Sequence, residues 1–136
     1  MLGLMGTPKE QVRAQKALEA QLQAMVWALA RAYQDPIRPW VREQGLEERD
    51  LAFEAGLLAP WEVEMPIYAT QKRGRIVRLL REMQRRGWVD LEARPPYGAY
   101  YVRLRPDATS ILARARPPWT ARLRRWWRGL RTRLPW

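Results

Sequence analysis

A chain of 136 residues holds one domain with a single modest core and leaves no room for a second catalytic domain. Lys and Arg number 25 against 14 Asp and Glu, a formal net charge of +11. All the cations except Lys9, Lys16 and Lys72 are arginines, which is the balance of a polyanion binder. The absence of cysteine and histidine excludes disulfides, thiolate zinc sites, Cys or His catalysis and an imidazole pH switch.

Thr7-Pro8 followed by Glu10 marks a helix start, with Thr7 as cap, Pro8 at the first position and Glu10 closing a capping box. An Ala/Gln/Leu-rich helix then runs to about Tyr33 and stops before Asp35-Pro36. Leu18, Leu22, Met25, Leu29 and Ala32 recur at alternating spacings of four and three, a heptad-like seam. Two readings fit it: one long helix packed on the rest of the domain, or a dimerisation helix using Leu18, Leu22, Met25 and Leu29.

Pro36 and Pro39 open a short helix around Trp40, Val41 and Gln44 that ends at Gly45. Leu46 to Gly56 reads as a second short helix, burying Leu51, Ala52 and Ala55 and stopped by glycine. Leu57 to Ala69 contains Pro60 and Pro66, so a turn or short helix with irregular flanks is expected.

The charge changes sign after this point. Residues 1–68 carry seven Lys/Arg and ten Asp/Glu, whereas residues 69–105 carry ten against three and residues 114–136 carry eight arginines and no acid. Thr70 is expected to cap a basic helix over Gln71 to Arg86 that ends at Gly87. In it, Ile76, Leu80 and Met83 share one face, while Arg75, Arg78, Arg81 and Arg85 cluster opposite. Trp88 to Arg94 and Ala99 to Arg105 alternate in hydropathy around Pro95-Pro96-Tyr97-Gly98, a β-hairpin with arginine at both sides of its tip. Pro106-Asp107-Ala108 starts another helix, which should end before Pro117-Pro118.

Beyond that break, Trp119 to Leu134 reads as an amphipathic helix. Its stripe is Trp119, Leu123, Trp126, Trp127, Leu130 and Leu134, flanked by Arg122, Arg124, Arg125, Arg128 and Arg131. Three roles are open. The stripe (Trp119, Leu123, Trp126, Leu130) packs on the amino-terminal helix as a dimer unit, lies on an anionic membrane surface, or docks on a partner protein or nucleic acid. The segments are therefore an amino-terminal helix (1–35), a central domain (36–113) and a basic carboxy-terminal helix (114–136).

Leu79-Leu80-Arg81-Glu82-Met83-Gln84-Arg85-Arg86-Gly87-Trp88-Val89, followed by Tyr100-Tyr101-Val102-Arg103-Leu104-Arg105-Pro106-Asp107-Ala108, resembles the MarR and PadR families of transcriptional regulators over about Pro36 to Leu112. Their recognition helix ends in a leucine, a charged pair, Gly, an apolar residue and Val. Their second wing strand runs into Leu-Thr-Pro-Glu-Gly. Here Arg105 replaces the threonine, Ala108 replaces the glycine, and Leu57 to Ala69 exceeds the short turn of a helix-turn-helix. The resemblance implies a mainly α fold with a small β-hairpin (α+β), a winged helix-turn-helix flanked by the two outer helices. It also implies double-stranded DNA as ligand and a homodimer.

In that geometry Thr70, Gln71, Lys72, Arg73 and Arg75 enter the major groove, with Arg and Gln pairing to base edges. Arg78, Arg81 and Arg85 flank on phosphates, Arg94 at the hairpin tip reaches a minor groove or phosphate, and Tyr97 adds a stacking or backbone contact. About six phosphate contacts cost on the order of 10³-fold in affinity between 50 and 200 mM salt. Replacing Arg73 or Arg75 should relax base preference, and replacing Arg78 or Arg85 should weaken all sequences alike.

Enzymatic readings are weaker. Glu62 with Glu64, or Asp90 with Glu92, are the carboxylate pairs that a divalent metal would use, yet alternating acids on a half-exposed strand are ordinary. There is no phosphate-cradling glycine loop, and Ser110 has no histidine to activate it. No enzyme activity, metal or cofactor is expected. The competing function is an interaction protein of phage or plasmid type, whose winged-helix scaffold binds RNA polymerase or replication machinery through the Trp/Leu stripe and the Leu57 to Ala69 segment. No apolar run approaches the ~18 residues of a membrane span, and Met1 to Gly6 is too short for a secretory signal, so the cytoplasm is the expected location. The absence of asparagine beside abundant Arg and Pro is the bias of a thermophile or of GC-rich codon usage.

Overall fold

The computed structural model describes residues 7–108, a mainly helical domain with a small three-stranded antiparallel sheet. The helices are α1 (Pro8–Gln34), α2 (Val41–Gln44), α3 (Glu48–Glu54), α4 (Met65–Ile67) and α5 (Arg73–Arg85). The strands are β1 (Leu46–Glu47), β2 (Val89–Arg94) and β3 (Ala99–Leu104), in the order β1-β3-β2.

α1 begins as its capping box dictates. The Thr7 hydroxyl accepts from the Glu10 N–H at 3.2 Å, and the Glu10 carboxylate accepts from the Thr7 N–H at 3.1 Å. Leu22, Met25 and Leu29 are fully buried in one core with Leu51, Ile76, Leu80 and Met83, and Leu18 packs against it. This corrects the dimerisation reading for Leu22, Met25 and Leu29, which are buried within the chain and do not face a second copy, while Leu18 is half-buried at the edge of the same core. The physical reason is that α3 and α5 offer the same kind of apolar surface at no cost in association entropy. Each such fully buried side chain contributes about 1.5–3 kcal/mol. The boundary at residue 35 consequently divides one core rather than two. Trp119, Leu123, Trp126 and Leu130 lie outside the described residues, as does the helix expected after Ala108.

The expected helix over Leu46 to Gly56 is shorter than its pattern. Leu46 and Glu47 pair with Val102 and Tyr101 as β1, and α3 starts at Glu48, with the Glu47 carboxylate accepting the N–H groups of Arg49 and Asp50. Gly45 makes this pairing possible. Its φ is +83°, and a Cβ built there would sit 2.8 Å from the Val102 carbonyl oxygen. Gly45→Ala therefore combines a left-handed backbone with a backbone clash and should cost about 2–3 kcal/mol in urea unfolding. A midpoint equal to wild type would show that the strands separate without penalty.

Thr70 does not cap a helix. Helical backbone begins at Met65, with Glu64 as the extended residue before it, and continues through a π-helical turn (Tyr68–Lys72) into α5. Thr70 sits inside it and donates its hydroxyl to the Pro66 carbonyl at 2.6 Å. Pro66 lies in the first turn, where its missing N–H costs nothing, so the proline that reads as a breaker in sequence serves as a start. The connection from α3 is thus Ala55 to Glu64, containing a 3₁₀ turn at Pro60–Val63.

The hairpin matches its alternation. Val89 pairs with Leu104, Leu91 with Val102 and Arg94 with Ala99, and Val89, Val102 and Leu104 are buried while Asp90, Glu92 and Arg103 are exposed. The Tyr33 hydroxyl accepts the Leu104 N–H at 2.7 Å, fastening α1 to β3. Pro106–Ala108 forms a 3₁₀ turn. Among the described residues, no helix is long and apolar enough to cross a membrane.

Candidate nucleic-acid interface

α5 buries Ile76, Leu79, Leu80 and Met83 and turns Arg78, Arg81 and Arg85 to the opposite side, with exposed Arg75 nearer one edge. Arg78 and Arg81 are exposed and form no ion pair with any described residue. Arg85 is exposed and pairs with Glu82 one turn earlier. Such a surface pair contributes little and exchanges readily for another anion. Exposed Gln71 continues the same face toward the helix start. Thr70 is exposed too, but its hydroxyl is bonded to backbone.

Three of the expected contacts are engaged elsewhere. Arg73 points into the protein: its Nε donates to Glu48 Oε1 at 2.9 Å and its Nη2 to the Gly98 carbonyl at 3.0 Å, with the Tyr100 ring 5.7 Å away. It ties α3, α5 and the hairpin together through Nε and Nη2. Lys72 pairs with Glu62 at 2.8 Å. That ammonium, followed by the Ala59 N–H, holds the Glu62 carboxyl below its ordinary value. Arg94 folds back from the hairpin tip. Its Nη2 donates to the Gln44 carbonyl at 2.8 Å and to Glu92 Oε2 at 3.2 Å, and its guanidinium lies 4.0 Å from the Tyr101 ring centroid. Tyr97, by contrast, stands at the tip with 76% of its surface exposed.

The carboxy-terminal end of α5 is anchored to α1. Arg86 donates to Glu19 at 2.5 and 3.0 Å and to Glu82 at 3.0 Å, and its guanidinium lies 5.2 Å from the Trp88 ring centroid. Hydrogen bonds from Arg85 and then Arg86 depress the Glu82 carboxyl from 4.5 to about 2, and Arg86 lowers that of Glu19. Folded-state values below the unfolded one mean that this contribution is complete above about pH 4.5 and is lost as pH falls toward about 2. Denaturation midpoints measured from pH 7 down should decline in that window, and Glu82→Gln should flatten the decline. An unchanged slope in the variant would remove Glu82 from the account.

Two polar residues that sequence reasoning passed over lie behind this surface. Glu48 and Tyr68 are each 1% exposed, and the Tyr68 phenol stands against the Glu48 carboxylate. Burial first, and then the Glu48 charge, push the Tyr68 phenol up from its ordinary value. No local pattern marks either one, since Glu48 reads as one more acid in Glu47-Glu48 and Tyr68 as one more apolar residue of Ile67-Tyr68-Ala69. The proposed metal pairs have other surroundings: Glu62 is held by Lys72, and no group of three or more Asp or Glu able to hold a metal occurs among the described residues. No family model, curated protein or solved structure matches the chain.

Proposed function

We propose that this chain is a winged-helix protein of the MarR/PadR type that binds double-stranded DNA and regulates transcription. The observation that carries the reading is the exposed arginine row Arg75, Arg78, Arg81 and Arg85 on a helix that follows α3 and precedes a β-hairpin. Supporting it, the basic helix α5 runs directly into the β2–β3 hairpin, and β1, which precedes α3, pairs with β3. Residues on the Met65–Arg85 helix enter the major groove, where Gln71 and Arg75 read base edges. Arg78, Arg81 and Arg85 take phosphates, and Tyr97 at the hairpin tip contacts the flanking backbone. With Lys72, Arg73 and Arg94 engaged internally, the three phosphate contacts of Arg78, Arg81 and Arg85 remain, so affinity should fall about 40-fold between 50 and 200 mM salt. A homodimer in this reading joins through surfaces other than the buried face of α1.

Selection of bound duplexes from a random pool, read with solution mass, tests the proposal. A two-fold symmetric motif bound by a dimer supports it. Sequence-independent binding at low salt, or none, overturns it. A second reading, docking on RNA polymerase or a replication protein, is favoured by exposed Ile37, Trp40 and Phe53, whose neighbours Arg38 and Glu54 pair at 2.5 Å, and by exposed Trp61. Ile37→Ser with Phe53→Ser should then abolish association with purified polymerase while leaving DNA affinity unchanged.

A further inference from the structure

The side of α1 turned away from the core is buried as well, although the described elements meet α1 on its other sides. At about 100° per residue, Trp27 lies about 170° around the helix from the mean direction of Leu22, Met25 and Leu29, which face the core. Gln23, Ala24 and Ala30 lie on that same outer side. Trp27 and Ala24 are each 7% exposed and Ala30 9%, whereas Ala20 and Gln34, one turn to either side, are exposed. Val41 of α2 shares the core with α3 and α5, the Arg86 guanidinium at the end of α5 meets Glu19, and β3 meets Tyr33. Glu19 and Tyr33 lie within about 90° of the core direction, so none of these contacts reaches Trp27 from outside. Arg31, 4.9 Å from the Trp27 ring centroid, covers only one face of the indole. Gln23 shows what is missing: its Oε1 is buried and has no hydrogen-bond partner among the described residues, so the group that covers it supplies a donor.

We infer that residues 114–136 of the same chain pack across this outer side of α1, with tryptophan and leucine against Ala24, Trp27 and Ala30 and a guanidinium or indole N–H donating to Gln23 Oε1. Three observations select this occupant. The Leu104 N–H donates to the Tyr33 hydroxyl, so the chain leaves β3 against α1. From Ala108 to Trp119 is eleven residues, a reach of up to about 35 Å against a helix diameter of about 10 Å. Residues 114–136 hold four tryptophans, three leucines, eight arginines and no acid. They therefore offer apolar rings together with side chains that donate hydrogen bonds and accept none, which is what an apolar face with one unpartnered acceptor requires. Closure within one chain also avoids the association entropy that a second copy would lose. α1 then forms the middle layer of the domain, and the eight arginines add to the side away from α5, apart from the row Arg75, Arg78, Arg81 and Arg85. The inference is independent of whether that row meets DNA.

Paramagnetic broadening in the full chain tests it. The chain has no cysteine, so a single nitroxide is attached through Ala20→Cys, on the outer side of α1, or through Gln71→Cys, on the Met65–Arg85 helix, both at exposed positions. The indole N–H signals of Trp119, Trp126 and Trp127 should broaden beyond detection with the label at Ala20→Cys and keep full intensity with it at Gln71→Cys. Isotope-labelled chain without nitroxide, mixed with nitroxide-bearing chain at natural abundance, should show no broadening, since the contact lies within one chain. Trp126→Asp with Leu130→Asp leaves every described residue unaltered. It should restore the broadened signals of Trp119 and Trp127 and shift the Trp27 indole resonance, while that of Trp61 stays in place. Full intensity with the Ala20→Cys label, equal broadening from both labels, broadening in the mixture, or an unmoved Trp27 resonance in the double variant would each overturn the assignment.

Discussion

Alanine at both Arg78 and Arg81 should lower affinity for duplex DNA on the order of 30-fold at moderate salt. The slope of log affinity against log salt should flatten by about two. Both side chains are exposed and unpaired among the described residues, so folding stability should stay within about 0.5 kcal/mol of wild type. The loss is thus attributable to the surface and not to the fold. Removing two charges from exposed positions on α1, Arg13 and Lys16, gives the comparison. It changes the overall field by the same amount but, under screening, should alter affinity by less than about threefold. Fluorescence anisotropy at several salt concentrations measures both. Equal losses for the two double variants would mean that the protein binds through its net charge, with no defined face.

Arg73→Ala should act on the opposite quantity. It removes the partner of a carboxylate that is 2% exposed, together with the bond to the Gly98 carbonyl. Stranding Glu48 in the interior should cost about 3 kcal/mol, at the low end for a buried pair because the Arg73 side chain is itself 35% exposed. Removing both ends, as Arg73→Met with Glu48→Gln, should cost less than Arg73→Ala alone, since no unpaired charge is left. Urea unfolding of the three variants checks the order. A stable Arg73→Ala protein with relaxed base preference would restore Arg73 to the groove and remove the tie between α3, α5 and the hairpin.

The contrast between Arg73 and Arg78 locates the limit of reading from sequence. Features set by neighbours a few residues apart were legible: the Thr7 and Glu10 cap, the buried stripe of α5, the glycine stop at Gly87, and the hairpin register from alternation. Features set by partners distant in the chain were not. Leu46 and Glu47 look helical until β3 is placed beside them. Arg73 and Arg94 look like their exposed neighbours, because nothing local announces Glu48, the Gly98 carbonyl or the Gln44 carbonyl as acceptors. The arginine face was therefore visible as a whole, while its division into solvent-facing cations and internal fasteners required the packed domain. The seam of α1 failed for a related reason: spacing alone does not say whether the apolar stripe meets its own chain or another.

The strand order has a bearing on how the protein is made. β3 lies in the middle of the sheet yet comes last among the three strands, so β1 and β2 have no shared neighbour until Leu104 has been synthesised. A nascent chain that has emerged only as far as Gly98 carries α1, α3 and α5 with no Leu104 N–H to donate to the Tyr33 hydroxyl and no strand to close over Leu46. Closure of the domain thus waits on its distal end, and a ribosome pausing before Ala99 would hold out a half-finished core to chaperones and proteases.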